Sequence, residues 1–389
     1  MIRKFSIDSR FVLVLSLVGI YVLVNFGLPT MGNRIWSTYL ILPVTWLLLF
    51  IGTLKLLPPA RTPRERVRQD FLILALTGGI SQLVAYVFGG VFSSFGESPY
   101  TFTFLGISRN LFLVTATLLG MEFSRAWLIR RMGSKHTWSA IVFVGLLFTV
   151  IAVPWDALTS LRFETDSIAY LTGTFFPLLA ENVLATRLAR SGGPLASLLY
   201  RGILQLFWWF SPVIPDLQWT FRGLIGIIVP LLLLVAAGRL ESSLVKRSRT
   251  RMQPGFLATA GWLMTALAGV CIIWFSVGLF PLKPALIASG SMRPYMEVGD
   301  IAIMAEFTEE QIQVGDVIQI RRSEDENIIH RVIEIQETES GRVFVTKGDA
   351  NEDPDIYPAA ALAVTGKNIF VIPKVGWLAV LVKNVIGNR

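Results

Sequence analysis

The stretch Pro281-Leu282-Lys283-Pro284-Ala285-Leu286-Ile287-Ala288-Ser289-Gly290-Ser291-Met292-Arg293-Pro294 divides the chain into two parts of different character. Before it the sequence consists of long apolar runs, and after it the runs are short, β-branched and broken by Gly, Asp and Pro. Long apolar runs are typical of helices that cross a bilayer, whereas short alternating runs are typical of β-strands. We therefore expect a polytopic α-helical membrane domain followed by a small all-β domain.

The composition excludes an ordinary soluble enzyme. The 389 residues are 53% hydrophobic and 16% charged, with a mean hydropathy of +0.59, whereas a soluble domain is about 25% charged. The single cysteine, Cys271, excludes an intramolecular disulfide and a zinc–thiolate cluster, and the two histidines, His136 and His330, exclude a multi-histidine metal site. The sequence contains no Walker, dinucleotide-binding, HExxH or EF-hand motif, so neither a cofactor nor a metal is expected.

Nine apolar runs of spanning length are predicted to form transmembrane helices. They cover residues 11–28, 36–54, 71–92, 104–124, 138–155, 168–186, 195–211, 220–237 and 256–280. The sixth and seventh are the weakest, because Glu181, Asn182 and Arg201 lie in or near them. Ionisable residues inside a membrane are candidates for function by default, although pairing between helices explains these three equally well.

The charges of the loops predict the orientation of these helices. Residues 1–282 carry 24 Lys and Arg against 11 Asp and Glu, whereas residues 283–389 carry 11 against 16. The basic residues cluster in every second loop, starting with Arg3, Lys4 and Arg10, as cytoplasmic loops do. This places the N-terminus in the cytoplasm, and nine spans then place the β-domain on the extracytoplasmic face. The pattern is not that of a nucleic-acid-binding protein.

The change of character predicts three segments: a membrane domain over residues 1–282, a β-rich domain over 283–375 and a short apolar tail over 376–389. The tail is too short to span a bilayer and is expected to be interfacial or packed. Alternation of apolar and polar residues predicts five strands. They are Ile301–Met304, Val317–Arg321, Ile328–Gln336, Arg342–Thr346 and Val364–Ile372.

Ser291 is a candidate nucleophile on a tight turn, because it lies between Gly290 and Met292 with Pro294 three residues on. A turn that merely links helix to β-domain is the alternative. A serine nucleophile needs an adjacent base, and His136 lies in a loop predicted to be cytoplasmic. His330 is therefore the only histidine that could serve, although it could also be a satisfied histidine on a half-buried strand.

A third stretch, Lys347-Gly348-Asp349-Ala350-Asn351-Glu352-Asp353-Pro354-Asp355, is rich in carboxylates. A carboxylate can fix the tautomer of a base histidine and stabilise its charged form. A solvated acidic turn or a cation-binding loop would have the same composition, but the calcium-loop spacing is not met.

Together these stretches resemble signal peptidase I of the archaeal and endoplasmic-reticulum type. The similar motifs are Ser289-Gly290-Ser291-Met292-Arg293-Pro294, Ile329-His330-Arg331-Val332, Lys347-Gly348-Asp349-Ala350-Asn351 and Ile372-Pro373-Lys374-Val375-Gly376, in the family's order and spacing. The resemblance covers about residues 286–378, roughly a quarter of the chain. It implies a small all-β signal-peptidase-like domain.

The resemblance also implies roles for individual residues. Ser291 matches the nucleophile, His330 the general base, and Ser289 the position whose hydroxyl completes the oxyanion hole with the Ser291 N–H. Asp349 and Asp355 match the family's two aspartates, with Asp355 favoured as the partner of His330 and Asp349 as a residue that holds the turn. Lys347 is the nearby lysine that a Ser–Lys mechanism would need.

The implied activity is cleavage of signal peptides from exported preproteins, after small residues, by a serine endopeptidase without cofactors. The implied partners are those signal peptides, the lipid bilayer and the secretion translocon. The eight extra helices depart from the family, whose members usually have one or two spans. The alternative from another class is a polytopic transporter or assembly scaffold that carries a non-catalytic signal-peptidase-like module.

Overall fold

The computed structural model describes residues 8–55, 57, 65–132, 137–162, 164–247, 282–305, 307–322, 327–338 and 341–374. The chain divides into two compact units. The first, here the helical unit, comprises Met1–Tyr86 and Gly96–Val270, and the second, here the β-unit, comprises Val87–Phe95 and Cys271–Arg389. The ninth predicted span, 256–280, and the apolar tail, 376–389, lie outside the described residues.

Eleven α-helices are present in the described residues before the β-unit's sheet. They are α1 (Ser9–Val22), α2 (Arg34–Trp36), α3 (Leu42–Lys55), α4 (Glu65–Phe92), α5 (Phe104–Arg131), α6 (Thr137–Ala152), α7 (Trp155–Thr159), α8 (Thr165–Tyr170), α9 (Phe176–Gly192), α10 (Pro194–Phe210) and α11 (Trp219–Arg247). Single π-helical turns at Leu23–Gly27, Ser37–Ile41 and Leu171–Phe175 extend or join them. α9 ends at Gly193, whose φ of 88° favours glycine, and Pro194 begins α10.

Six helical stretches in the described residues are long and apolar enough to cross a membrane. They are Ser9–Thr30, Arg34–Lys55, Val67–Val91, Phe104–Arg131, Thr165–Gly192 and Trp219–Leu244. Eight of the nine predicted spans fall in the described part, and six of those eight coincide with these stretches. The fifth predicted span falls on α6, whose 16 residues are fewer than the roughly 20 that a bilayer requires. The seventh falls on α10, which interrupts its apolar face with Tyr200, Arg201 and Gln205.

Buried polar side chains join the helices of the first unit. Arg125 of α5 is fully buried and donates to Glu122 and to the carbonyl and amide oxygens of Asn182, at 2.8–3.2 Å. Arg201 of α10 donates to Glu181 of α9 at 2.9 Å. Glu181, Asn182 and Arg201 are thus paired with neighbouring helices. This agrees with pairing between helices, one of the two explanations that the sequence left open for them.

The β-unit contains a seven-stranded antiparallel sheet in the order β3-β4-β9-β5-β6-β7-β8. The strands are β3 (Leu282–Leu286), β4 (Ile301–Ala305), β5 (Val317–Arg321), β6 (Asn327–Thr338), β7 (Gly341–Lys347), β8 (Ala359–Ala360) and β9 (Val364–Ile372). Two further short strands, β1 (Ser94–Glu97) and β2 (Val213–Asp216), form a two-stranded sheet. All five predicted strands are present with bounds that differ by at most two residues, whereas β3 and β8 were not predicted.

Apolar side chains cover both faces of the larger sheet. On β5, Val317 belongs to one buried cluster, with Met292 and Met304, whereas Ile318 belongs to another, with Phe344. This alternation follows from the two-residue period of a strand. The β-domain therefore has a core on each side of the sheet, and the segments that carry Ser291 and His330 are both anchored in it.

Candidate active site

The turn that carries Ser291 connects β3 to β4 and is fixed at both ends. The Ile287 N–H donates to the Asp300 carbonyl, and the Gly299 N–H donates to the Ile287 carbonyl, both at 2.9 Å. Between these bonds the side chains of Met292 and Met296 are almost completely buried. Burial of large apolar side chains stabilises the turn, and the residue before Met292 is left at the surface of the core.

Asp300 supports this turn and was missed as a site residue by the sequence analysis. Its buried carboxylate accepts from the Glu297 N–H and the Lys374 N–H, each at 2.9 Å. The pair Gly299-Asp300 is recognisable in the sequence as a turn, but the contact with Lys374 spans 74 residues and follows only from the fold. Asp300 thus ties the serine turn to the end of β9.

The Ser291 hydroxyl lies 3.2 Å from the Ser289 hydroxyl. The Ser291 carbonyl accepts from the Ala350 N–H at 2.8 Å. Gly348 packs so closely against the serine turn that a Cβ at this position would lie 2.7 Å from the Ser291 carbonyl oxygen. The serine turn therefore rests on the loop that follows β7, and this contact requires glycine at position 348.

His330 lies on β6, with only 7% of its surface exposed. Its Nδ1 atom is 2.6 Å from Oδ2 of Asp355. The hydroxyl of the buried Thr346 donates to the same oxygen at 2.7 Å, and the Asp355 N–H donates to the Thr346 carbonyl at 2.8 Å. Arg322 lies 3.7 Å from the other Asp355 oxygen. With a carboxylate on Nδ1, the imidazole is set to accept a proton at Nε2.

Thr346 is a second residue that the sequence analysis missed. Its position on β7, opposite Val332 of β6, gives no signal in the sequence, because threonine is common in strands. Its two bonds to Asp355, one through the hydroxyl and one through the carbonyl, hold the carboxylate toward His330.

Asp349 has different partners from Asp355. Its two oxygens accept from Nε and Nη2 of Arg331 at 2.8 and 2.6 Å. Arg331 also donates to the Gly315 carbonyl at 2.8 Å and lies 4.8 Å from the centre of the Tyr295 ring. The hydrogen bonds to Asp349 raise the pKa of Arg331 above its usual range. Asp349 therefore links β6, the loop after β7 and the serine turn.

The predicted site residues thus form two pairs with each other and one ion pair with Arg331. Ser289 contacts Ser291, His330 contacts Asp355, and Asp349 binds Arg331, which is next to His330 in the chain. Within the described residues, the hydrogen-bond partner of the Ser291 hydroxyl is Ser289 and not His330. Catalytic hydrogen bonds are often long in a free enzyme and tighten on substrate binding. Lys347 is the lysine that a Ser–Lys mechanism would use. Its ammonium group instead donates a hydrogen bond to the Glu352 carbonyl at 2.8 Å.

Residues 259–336 match the family of signal peptidases, peptidase S26. The matched region contains Ser291 and His330 and ends before Asp349 and Asp355. The predicted resemblance to signal peptidase I of the endoplasmic-reticulum type is confirmed for this region.

Curated relatives agree with the family match. The catalytic subunit SEC11C of the Homo sapiens signal peptidase complex is 38% identical over 72 residues, which cover 18% of this chain and 38% of the relative. Signal peptidase I W of Bacillus subtilis (strain 168) is 33% identical over 82 residues, covering 21% and 42%. The catalytic subunit SEC11 of Scheffersomyces stipitis is 26% identical over 123 residues, covering 28% and 74%.

The chain therefore spans only 38% of the length of the SEC11C relatives. The family match lies within residues 259–336 and includes none of the described helices of the first unit. At this level the comparisons support signal-peptide cleavage as an activity of the family to which this region is similar.

Proposed function

We propose that the protein is a membrane-anchored serine endopeptidase that cleaves signal peptides from exported preproteins. The observation that carries the proposal is the contact between His330 Nδ1 and Asp355 at 2.6 Å, together with an anchored turn that carries Ser291 and rests on the loop to which Asp355 belongs. A histidine oriented by a buried carboxylate is the base that a serine nucleophile requires. The S26 similarity of residues 259–336 agrees with this chemistry.

In the proposed mechanism Ser291 attacks the scissile carbonyl, and His330 takes the proton from the serine oxygen. The same imidazole then gives that proton to the leaving amine. Asp355 holds the ring by Nδ1 and stabilises its charged form. A water molecule, activated by His330, hydrolyses the acyl-enzyme and regenerates Ser291.

The oxyanion of the tetrahedral intermediate needs fixed hydrogen-bond donors. In this proposal they are the Ser291 N–H and the Ser289 hydroxyl, which already lies 3.2 Å from the nucleophile oxygen. When substrate binds, the Ser289 hydroxyl turns from the Ser291 oxygen to the substrate carbonyl. The Ser291 hydroxyl then donates to His330.

The six apolar helical stretches anchor the enzyme in the bilayer in this proposal. The basic loops orient the N-terminus toward the cytoplasm. In this proposal the predicted span 256–280 adds a seventh crossing, and the odd number of crossings places the β-unit on the extracytoplasmic face. An anchored nucleophile meets a signal peptide that is itself held in the membrane, so part of the entropy of encounter is lost in advance.

A reconstituted assay tests this function. Purified protein in vesicles is mixed with a radiolabelled preprotein, and the Ser291→Ala variant serves as the matched control. We expect the wild-type protein to release the mature chain and to be labelled by a serine-reactive phosphonate, and the variant to do neither. Cleavage that persists in Ser291→Ala would contradict the proposal.

The orientation has a separate test. Protease added to right-side-out vesicles should degrade the β-unit and spare the loop around residues 238–255. Protection of the β-unit would refute the proposed orientation without bearing on the chemistry of Ser291.

A further inference from the structure

An apolar groove lies between α1 and α3 of the helical unit. Its floor is formed by the buried side chains of Leu13 and Ile20, and its rim by Val12 and Leu48, which are 41% and 64% exposed. Leu13 and Ile20 also belong to the central apolar cluster of the unit, together with Trp46 of α3. Both helices therefore pack into the same core, and the groove runs between them along their outer side.

The groove offers hydrocarbon contacts and no free hydrogen-bonding group of its own. Three hydroxyl residues line it, and each bonds to a carbonyl of its own helix: Ser16 to Val12 at 2.9 Å, Thr45 to Ile41 at 2.8 Å and Thr53 to Leu49 at 2.8 Å. Because these hydroxyls already donate to backbone carbonyls, they do not need a hydrogen-bonding group on the ligand. The ligand that fits such a lining is a hydrocarbon chain.

The volume of the groove limits the length of the hydrocarbon chain that it can hold. It encloses about 300 Å³, roughly ten times the ~30 Å³ that one water molecule occupies in the liquid. A methylene group is of similar size, so the groove accommodates about ten methylenes. This is the scale of one acyl chain and is too small for a helix, whose diameter with side chains is about 10–12 Å.

A cation marks the end of the groove that the basic loops assign to the cytoplasmic side. Lys55 lies in the last turn of α3, close in sequence to the lining residues Gly52 and Leu57. It is exposed, and within the described residues no ion pair engages it. Arg10, at the start of α1, is in contrast held by Asp8 through several hydrogen bonds. Of these two described cations, Lys55 is therefore the one available to an anionic headgroup.

We propose that the groove between α1 and α3 binds one acyl chain of an anionic phospholipid of the cytoplasmic leaflet, with its headgroup at Lys55. The inference rests on the proposed membrane placement and not on the peptidase chemistry. The lipid fills a gap that α1 and α3 leave open and adds packing where no hydrophobic driving force between helices exists in a membrane.

Photolabelling of the full chain tests the proposal. The protein is reconstituted in phosphatidylcholine vesicles with a trace of phosphatidylglycerol that carries a diazirine on one acyl chain, and labelled peptides are mapped. We expect the label to concentrate on α1 and α3. Gly52→Leu fills the groove and should reduce that label to background, whereas Val18→Phe, which adds a large side chain at an exposed position on the opposite face of α1, should leave it unchanged.

The proposed contact between Lys55 and the lipid headgroup is tested by a variant that removes the charge of Lys55. Lys55→Gln should reduce labelling by the phosphatidylglycerol probe about fivefold, and leave labelling by the corresponding phosphatidylcholine probe unchanged. An equal loss with both probes would overturn the role of Lys55.

Equal labelling of Gly52→Leu and Val18→Phe would overturn the groove as the binding site. If Gly52→Leu does not fold, Ser16→Leu fills the same groove from α1. A photoreactive Gly52→benzoylphenylalanine variant distinguishes occupants: a lipid adduct supports the proposal, and an adduct with a second copy or with residues 256–280 overturns it. Carbonate extraction of the same membranes reports separately whether the chain is integrated at all.

Discussion

The helical unit and the β-unit both bury ionisable side chains, but the hydrogen bonds of these side chains differ. Arg125 is fully buried, and its guanidinium donates to Glu122, Asn182 and Thr186 while it lies over the Phe148 ring. His330 is nearly as buried, but only its Nδ1 atom has a carboxylate partner. A buried group whose hydrogen bonds are all satisfied contributes to structure, whereas a histidine that is held through Nδ1 keeps Nε2 for proton transfer.

The largest expected effect concerns the nucleophile and the base. Ser291→Ala and His330→Ala should each lower kcat by about 10⁵–10⁶-fold, and the double variant should lose little more, because members of a triad act as a unit. Melting temperatures should stay close to the wild type. Turnover of a preprotein by the three variants measures this, and substantial activity in His330→Ala would make Lys347 the base to test.

The second prediction separates the two aspartates. Asp355→Asn should lower turnover about 10⁴-fold with little change in melting temperature, because the amide no longer fixes the histidine tautomer. Asp349→Asn should instead lower the melting temperature, because it breaks the bidentate ion pair between Asp349 and Arg331. Turnover per folded molecule and melting temperature are measured for both variants. The reverse pattern would assign the triad role to Asp349.

The third prediction applies to the helical unit. Arg125→Met leaves Glu122 buried without its partner, and breaking such a pair costs about 3–5 kcal/mol. We expect thermal inactivation at a clearly lower temperature, with unchanged turnover per molecule that remains folded. Arg109→Met, at an exposed position of the same helix, is the control and should change neither. A selective loss of turnover in Arg125→Met would show that the helical unit takes part in catalysis.

The smallest expected effect concerns the contact between Gly348 and the serine turn. The methyl group in Gly348→Ala would lie 2.7 Å from the Ser291 carbonyl, so the turn must move. A displacement of about 1 Å costs up to about 100-fold in rate, and we expect a loss of about tenfold or more in kcat with a small change in stability. Ala360→Ser adds one heavy atom at an exposed site of the same unit and should leave kcat unchanged.

Much of the fold was predictable because the signals are local. The strand pairs of the β-unit follow alternating sequences such as Val317–Arg321, and the helices follow apolar runs such as the one in α5. The number of spans was harder to predict, since in the described residues apolar runs of similar appearance differ in whether they form helices of spanning length. α6 is too short, and α10 carries Arg201 toward Glu181.

The candidate site was predictable only in part. Ser291, Ser289, His330 and the two aspartates were identified by residue type, order and resemblance. Asp300 and Thr346 were not, because each acts through contacts that depend on chain segments far apart or on a cross-strand neighbour. Nothing in the local sequence distinguishes such a residue from an ordinary turn aspartate or strand threonine.

The sequence by itself determined the division at residues 281–294, the strands of the β-unit and the residues with the chemistry of a serine peptidase. Only the tertiary structure decided which carboxylate binds His330 and which binds Arg331. Asp349 and Asp355 lie six residues apart on one loop, and either could reach His330 by spacing alone. The bond from the Asp355 N–H to the Thr346 carbonyl brings Asp355 back against β7 and toward His330. Asp349 is meanwhile held by Arg331, which points to the other face of β6 because side chains alternate along a strand.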